Sequence, residues 1–118
     1  MEKAKGTHLI VDFKNVPEDI CLDDGRFLKV LVAAVEHAGA TVLSQARYHL
    51  GHNSPPGFAL VILLDESHCS AHSYADLGLI AMDIFTCGNT KPMDVFNELI
   101  DVLNLTDYSV KEIPRFIL

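Results

Sequence analysis

A chain of 118 residues with 49% hydrophobic side chains is long enough for one compact domain, residues 1–118, and too short for two ordinary ones. Charged residues at 21%, with no tract of Pro, Gln or Ser, exclude global disorder. A formal charge of −7 argues against a nucleic-acid or anionic-membrane surface, which needs clustered Lys and Arg, and better suits a cationic small-molecule substrate.

The opening MEKAKGTHLIVDF lacks the apolar run and small-residue cleavage site of a secretory signal. The longest apolar run, Phe58 to Leu64, is far below the roughly 20 residues needed to cross a bilayer. A cytoplasmic location without a membrane span is the expectation. Cys21, Cys69 and Cys87 make an odd number with no CxxC, which fits a reducing compartment better than a disulfide framework.

In chain order, His8 to Phe13 is short, apolar and β-prone, and it stops at the turn-like Lys14-Asn15-Val16-Pro17. Asp23 or Asp24 can cap a helix that carries Phe27, Leu28, Leu31, Val32 and Val35 on a broad apolar face and ends at Gly39. Thr41 to Leu50 returns to extended character, and residues 51–57, rich in Gly, Ser and Pro, read as a loop. Phe58–Leu64 and Leu79–Phe85 are continuous apolar runs, which predicts strands buried on both faces. The polar segment DESHCSAHSYADLG between them, with its acids, serines, histidines and a cysteine, is where function should concentrate. Pro92 opens a second helix with Met93, Phe96, Leu99, Ile100 and Leu103 at helical spacing, and Tyr108–Phe116, which contains Pro114, closes the chain as an edge strand. The order is β-α-β-β-β-α-β.

Ser67 stands between Glu66 and His68, with His72 close by. A neutral imidazole can take a serine proton, so an activated nucleophile is one reading; a strand-end turn that satisfies backbone groups is the other. No GxSxG elbow is present. His68, His72, His49, His52 and Cys69 offer zinc-type ligands but match no finger or HExxH pattern, so no metal is expected. Cys87, at a strand end beside Gly88, is either core filling or a thiol facing a pocket.

Together, Glu66-Ser67-His68 with His72 five residues past the serine, and Asp83-Ile84-Phe85-Thr86-Cys87-Gly88 with Cys87 twenty past it, closely resemble the prokaryotic S-adenosylmethionine decarboxylases. Gly6-Thr7-His8-Leu9-Ile10, like the family's opening GRHL, and Ala38-Gly39-Ala40-Thr41 extend the likeness from about residue 6 to about residue 90.

The resemblance implies an α+β two-layer sandwich, with helices on one face of a largely antiparallel sheet. It also implies a homodimer packed sheet to sheet, with residues of both protomers at each active site. Ser67 would attack the Glu66 carbonyl, an N-to-O acyl shift would give an ester, and elimination would cut the chain between Glu66 and Ser67 into a β-chain, 1–66, and an α-chain, 67–118. Ser67 would become a pyruvoyl group, the only cofactor, which forms a Schiff base with the substrate amine and accepts the electrons left by CO₂. By the same resemblance His72 is the processing base and Cys87 the proton donor, since an ordinary thiol with a pKa of about 8.5 carries its proton at neutral pH. Glu66, Tyr74 and Asp76 are the implied substrate contacts, whereas Cys21 and Cys69 default to structure.

Where the family reads HTWPE, this chain has His72-Ser73-Tyr74-Ala75-Asp76. Ala59 replaces a processing serine eight residues before Ser67, and the adenine-stacking aromatic after the second strand has no clear counterpart, although Tyr48 is near. The leading expectation is S-adenosylmethionine decarboxylation for spermidine biosynthesis. An L-ornithine or L-arginine decarboxylase with the same pyruvoyl chemistry, and an uncleaved homologue acting as a binding partner, remain open.

Overall fold

The computed structural model describes residues 4–118. Along the chain run β1 (Ala4–Phe13), α1 (Glu18–Cys21), α2 (Asp24–His37), β2 (Val42–Leu50), β3 (Gly57–Leu64), β4 (Ser67–Tyr74), β5 (Leu79–Cys87), α3 (Pro92–Leu103) and β6 (Tyr108–Ile117). The six strands form one sheet in the order β2-β3-β4-β5-β1-β6, every neighbouring pair antiparallel. α2 and α3 pack on each other and on one face of it. This is the expected two-layer α+β sandwich.

Local chemistry explains the element ends. The Asp23 carboxylate accepts from the Arg26 N–H, which satisfies one of the unpaired amides that open α2. Gly39, at φ +98°, terminates that helix in a conformation that penalises any side chain. Pro92 occupies the first turn of α3, where its missing N–H is no loss, and Asn104 closes the helix in the left-handed region. Pro114 falls on β6, at the sheet edge, where a lost donor disrupts no second ladder.

The core lies between sheet and helices. Leu9, Val11 and Phe13 of β1, Phe58, Leu60, Ile62 and Leu64 of β3, and Ile80, Met82 and Ile84 of β5 alternate into it against Phe27, Leu31, Phe96 and Leu99. Ser73, only 1% exposed, donates to the Cys21 carbonyl at 2.6 Å and accepts from the Phe58 N–H at 2.8 Å, pinning α1 to the sheet.

Two expectations are corrected. The polar segment contains a full strand, β4, which the predicted order omits; its inward side chains Ser67, Cys69, Ala71 and Ser73 are small, so their period of two does not read as a hydrophobic alternation. The turn after β1 continues into α1, and β1 itself starts at Ala4. Finally, within the single chain the helices cover β3 and β5 on one face only: Val61 and Leu63 are 44% and 52% exposed on the other side. That outer face also presents Tyr48, Tyr74 and Ile113, an apolar surface that this chain leaves open.

Candidate active site

β3 and β4 form a hairpin in which Leu64 pairs with Ser67, so Asp65 and Glu66 alone make the turn. Glu66 sits at φ +61°, a left-handed conformation that costs a non-glycine residue on the order of 1–3 kcal/mol. The peptide bond that follows is the one between Glu66 and Ser67. Ser67 is 9% exposed, and its Oγ accepts a 3.2 Å hydrogen bond from the backbone N–H of Cys87 at the end of β5.

β1 completes this end of the sheet. Gly6 pairs with Cys87, and a Cβ at Gly6 would stand 2.8 and 2.9 Å from Phe85 ring carbons and 2.9 Å from the Thr86 carbonyl oxygen. The missing side chain lets the Phe85 ring lie across β1, with His68 at 5.5 Å between ring centroids and the Arg115 guanidinium 5.5 Å from its centre. Next to Gly6, Lys5 reaches the turn and donates to Glu66 Oε1 at 3.1 Å. That hydrogen bond, then the charge of Glu66, then Cys87 raise the Lys5 ammonium above its usual pKa.

The structure thus gathers Glu66, Ser67 and Cys87 and adds Lys5. It does not add His72. Five residues past Ser67 on the same strand, His72 lies on the order of 16 Å away and on the opposite face. There it pairs in register with Ala59 and borders an open hollow of about 440 Å³ shared with Ala46, Tyr48, Val61 and Ser70. Tyr74 ends β4 on this same outer face, and Asp76 follows it in the turn, so the expected substrate contacts divide between the two ends of the strand.

Several side chains of the outer face were not singled out from the sequence. His8 Nε2 lies 2.8 Å from Asp83 Oδ1, and Ser70 donates to Asp83 Oδ2 at 3.5 Å. Their signal was the parity of β5, where Asp83 alternates with the buried Met82 and Ile84. The remaining thiols are buried: desolvation raises Cys21 and pushes Cys69 up to about 12. Among the described residues no three His, Cys, Asp or Glu side chains converge as a metal site. Nor is any helix of the described residues long and apolar enough to span a membrane.

An antiparallel sheet backed by two helices carries a serine at a strained hairpin with a cysteine amide on its hydroxyl, and the proteins this chain resembles are self-processed, pyruvoyl-dependent decarboxylases. The model of the S-adenosylmethionine decarboxylase family matches residues 7–116. An S-adenosylmethionine decarboxylase proenzyme of Thermoplasma acidophilum is 35% identical, over 98% of this chain and 86% of its own. One of Brevibacillus brevis is 40% identical, over 93% of this chain and 81% of its own. The crystal structure of the adenosylmethionine decarboxylase from Aquifex aeolicus VF5 superposes with a TM-score of 0.83 at 29% identity, covering 98% of this chain and 94% of that one. The chain belongs to the S-adenosylmethionine decarboxylase family.

Proposed function

We propose that this chain is a proenzyme that cuts itself between Glu66 and Ser67 and then decarboxylates S-adenosylmethionine as a homodimer in the cytoplasm. The observation that carries this reading is the Glu66-Ser67 turn: strained at Glu66, with the Ser67 hydroxyl held by the Cys87 amide at 3.2 Å. Such a serine fits the origin of a pyruvoyl group. Strain at the scissile peptide raises the ground state, and an N–H donor on Oγ favours charge developing on that oxygen.

Ser67 Oγ attacks the Glu66 carbonyl carbon, the C–N bond breaks, and the hydroxyl proton ends on the freed amine. A base then removes the Ser67 α-proton. His72 of the same chain lies at the other end of β4, out of reach of Ser67, so the base comes from a second copy whose outer face packs on the first. The open apolar surface supports that assembly, because Val61, Leu63, Tyr48 and Tyr74 leave water when two such faces meet. Packed face to face about a two-fold axis that sets the two β4 strands antiparallel, the His72 end of one β4 would lie over the Ser67 end of the other. The hollow beside His72 would then supply the aromatic wall of Tyr48 for the nucleoside, and Tyr74, two residues past His72 on the same face of β4, an aromatic ring for the cationic sulfonium.

Once formed, the pyruvoyl ketone binds the substrate amine and accepts the electrons that CO₂ leaves behind. Cys87, partly exposed beside Ser67, returns a proton to the former α-carbon. Glu66 at the near end, with Tyr74 and Asp76 from the partner's far end, orients the substrate. The acidic chain and its free cysteines suit a reducing compartment and a cationic small molecule, and no nucleic-acid or membrane partner.

Intact mass under denaturing conditions tests the cleavage, which gives fragments 1–66 and 67–118 with loss of ammonia. Co-expression tests the pairing: Ser67→Ala and His72→Ala chains are each uncut alone, and in the mixture only the His72→Ala chain is cut. A His72→Ala chain cut equally well without a partner would defeat the two-copy site. CO₂ release from S-adenosylmethionine, ornithine and arginine then separates the substrates.

A further inference from the structure

Cutting the chain makes a demand that Ser67, His72 and Cys87 do not fully meet. In the elimination the Cβ–Oγ bond of Ser67 breaks, the α-proton goes to the base, and Oγ leaves with the electron pair as an oxygen of the Glu66 carboxylate. The dehydroalanine left at position 67 is hydrolysed by water, with loss of ammonia. Negative charge therefore appears where the hydroxyl lay, and the Cys87 N–H, 3.2 Å away, is one neutral donor for it.

A full cation reaches the same turn, from the residue next to Gly6, which pairs with Cys87. Lys5 Nζ is 3.1 Å from Glu66 Oε1, and the Cys87 thiol is among the groups that raise its pKa. It stays an ammonium at neutral pH and acts as a charge, not as an amine nucleophile. Its place is dictated by Gly6, whose lack of a side chain brings β1 against Phe85 and Thr86 at this end of the sheet.

We propose that Lys5 is a positioning residue for maturation, forming with the Cys87 N–H a receptor for the Glu66 carboxylate as it leaves. This rests on the reading that Ser67 is the cleavage residue. Glu66 carries one negative charge before elimination and two afterwards, its side chain and the new main-chain carboxylate. The attraction to Lys5 therefore grows as the bond breaks, the condition for accelerating a step and not merely stabilising its start. An exposed ion pair of fixed charge adds little by comparison.

The test follows newly folded full-length wild type, Lys5→Met and Lys5→Arg over time by denaturing mass spectrometry, with parallel samples treated with alkaline hydroxylamine, which cleaves esters and spares amides. Lys5→Met should lose about tenfold in elimination rate, equivalent to about 1.4 kcal/mol. It should accumulate full-length chain that hydroxylamine cuts after Glu66, giving a 67–118 fragment that begins with serine. Lys5→Arg should stay within about twofold of wild type, since charge is retained. Maturation of Lys5→Met at the wild-type rate overturns the proposal, as does arrest at a hydroxylamine-resistant amide, which would place Lys5 in the attack. A wild-type chain that never cuts at Ser67 overturns both this inference and the proposed function; cutting indifferent to Lys5 overturns the inference alone.

Discussion

Replacing Gly6 by alanine should damage both the fold and the cutting reaction, and the size of the damage follows from three contacts. The new Cβ would lie 2.8 and 2.9 Å from two Phe85 ring carbons and 2.9 Å from the Thr86 carbonyl oxygen, against about 3.5–4.0 Å for carbon–carbon contact at ease. The ring has little room to swing, with the His68 ring and the Arg115 guanidinium each 5.5 Å from its centre. The carbonyl belongs to the β1–β5 ladder and moves only if the strands separate. Overpacking of this kind costs about 1–3 kcal/mol. At about 2 kcal/mol, the midpoint of thermal unfolding should fall by roughly 6–12 °C for a chain of this size. The measurement is circular dichroism melting of Gly6→Ala in a Ser67→Ala background, which keeps the chain whole, against its parent at one fixed protein concentration, since the midpoint of a dimer depends on concentration. Adding Phe85→Leu should restore about half the loss, because it removes the ring but not the carbonyl. A Gly6→Ala chain that melts within about 1 °C of its parent would refute the claim that this glycine sets the strand approach.

Three further outcomes are expected. Ser73→Ala should cost about 2–4 kcal/mol in urea unfolding, since it strands the buried Cys21 carbonyl and Phe58 N–H that the hydroxyl now satisfies. A native thiol titration should find one fast group, lost in Cys87→Ala, while Cys21 and Cys69 react only on unfolding, because burial covers both and raises their pKa values. Asp24 should make the fold acid-sensitive: burial pushes its carboxyl up, but hydrogen bonds from Arg47 and His49 outweigh it and hold the carboxyl below its usual value. Its contribution is therefore present above the unfolded-state pKa of about 4 and lost as pH falls through the lowered folded value, so Asp24→Asn should flatten the acid limb of a stability-against-pH curve.

Much of the architecture was written in local chemistry. The Asp23 cap, the Gly39 stop, Pro92 in a first helical turn and Pro114 on an edge strand each have one favourable place, and the structure puts them there. β4 was hidden because its inward positions are held by Ser, Cys, Ala and Ser, which pack well against helices yet carry no aliphatic signature. The continuous apolar runs of β3 and β5 predict burial of both faces, and sequence does not say which face the chain's own helices cover and which is left for a second copy. The site follows the same division. Ser67 and Cys87 are brought together by a hairpin and its next strand, but the odd spacing from Ser67 to His72 sends the two to opposite faces once β4 is known to be a strand. Lys5 pairs with Glu66 across 61 positions, and no local pattern announces such a contact.

The strand order has a consequence for what the proposed cut would do to the molecule. Severed at the β3–β4 turn, the sheet would read, by fragment, first-first-second-second-first-second, because β1 threads between β5 and β6. Neither piece could be pulled away without stripping backbone ladders on both sides of a strand. Refolding from the separated pieces would also need them to meet in solution, a concentration-dependent event the intact chain never faced. The protein would be built once, as a single thread, and afterwards held together as an interlocked pair whose lifetime depends on how slowly it opens.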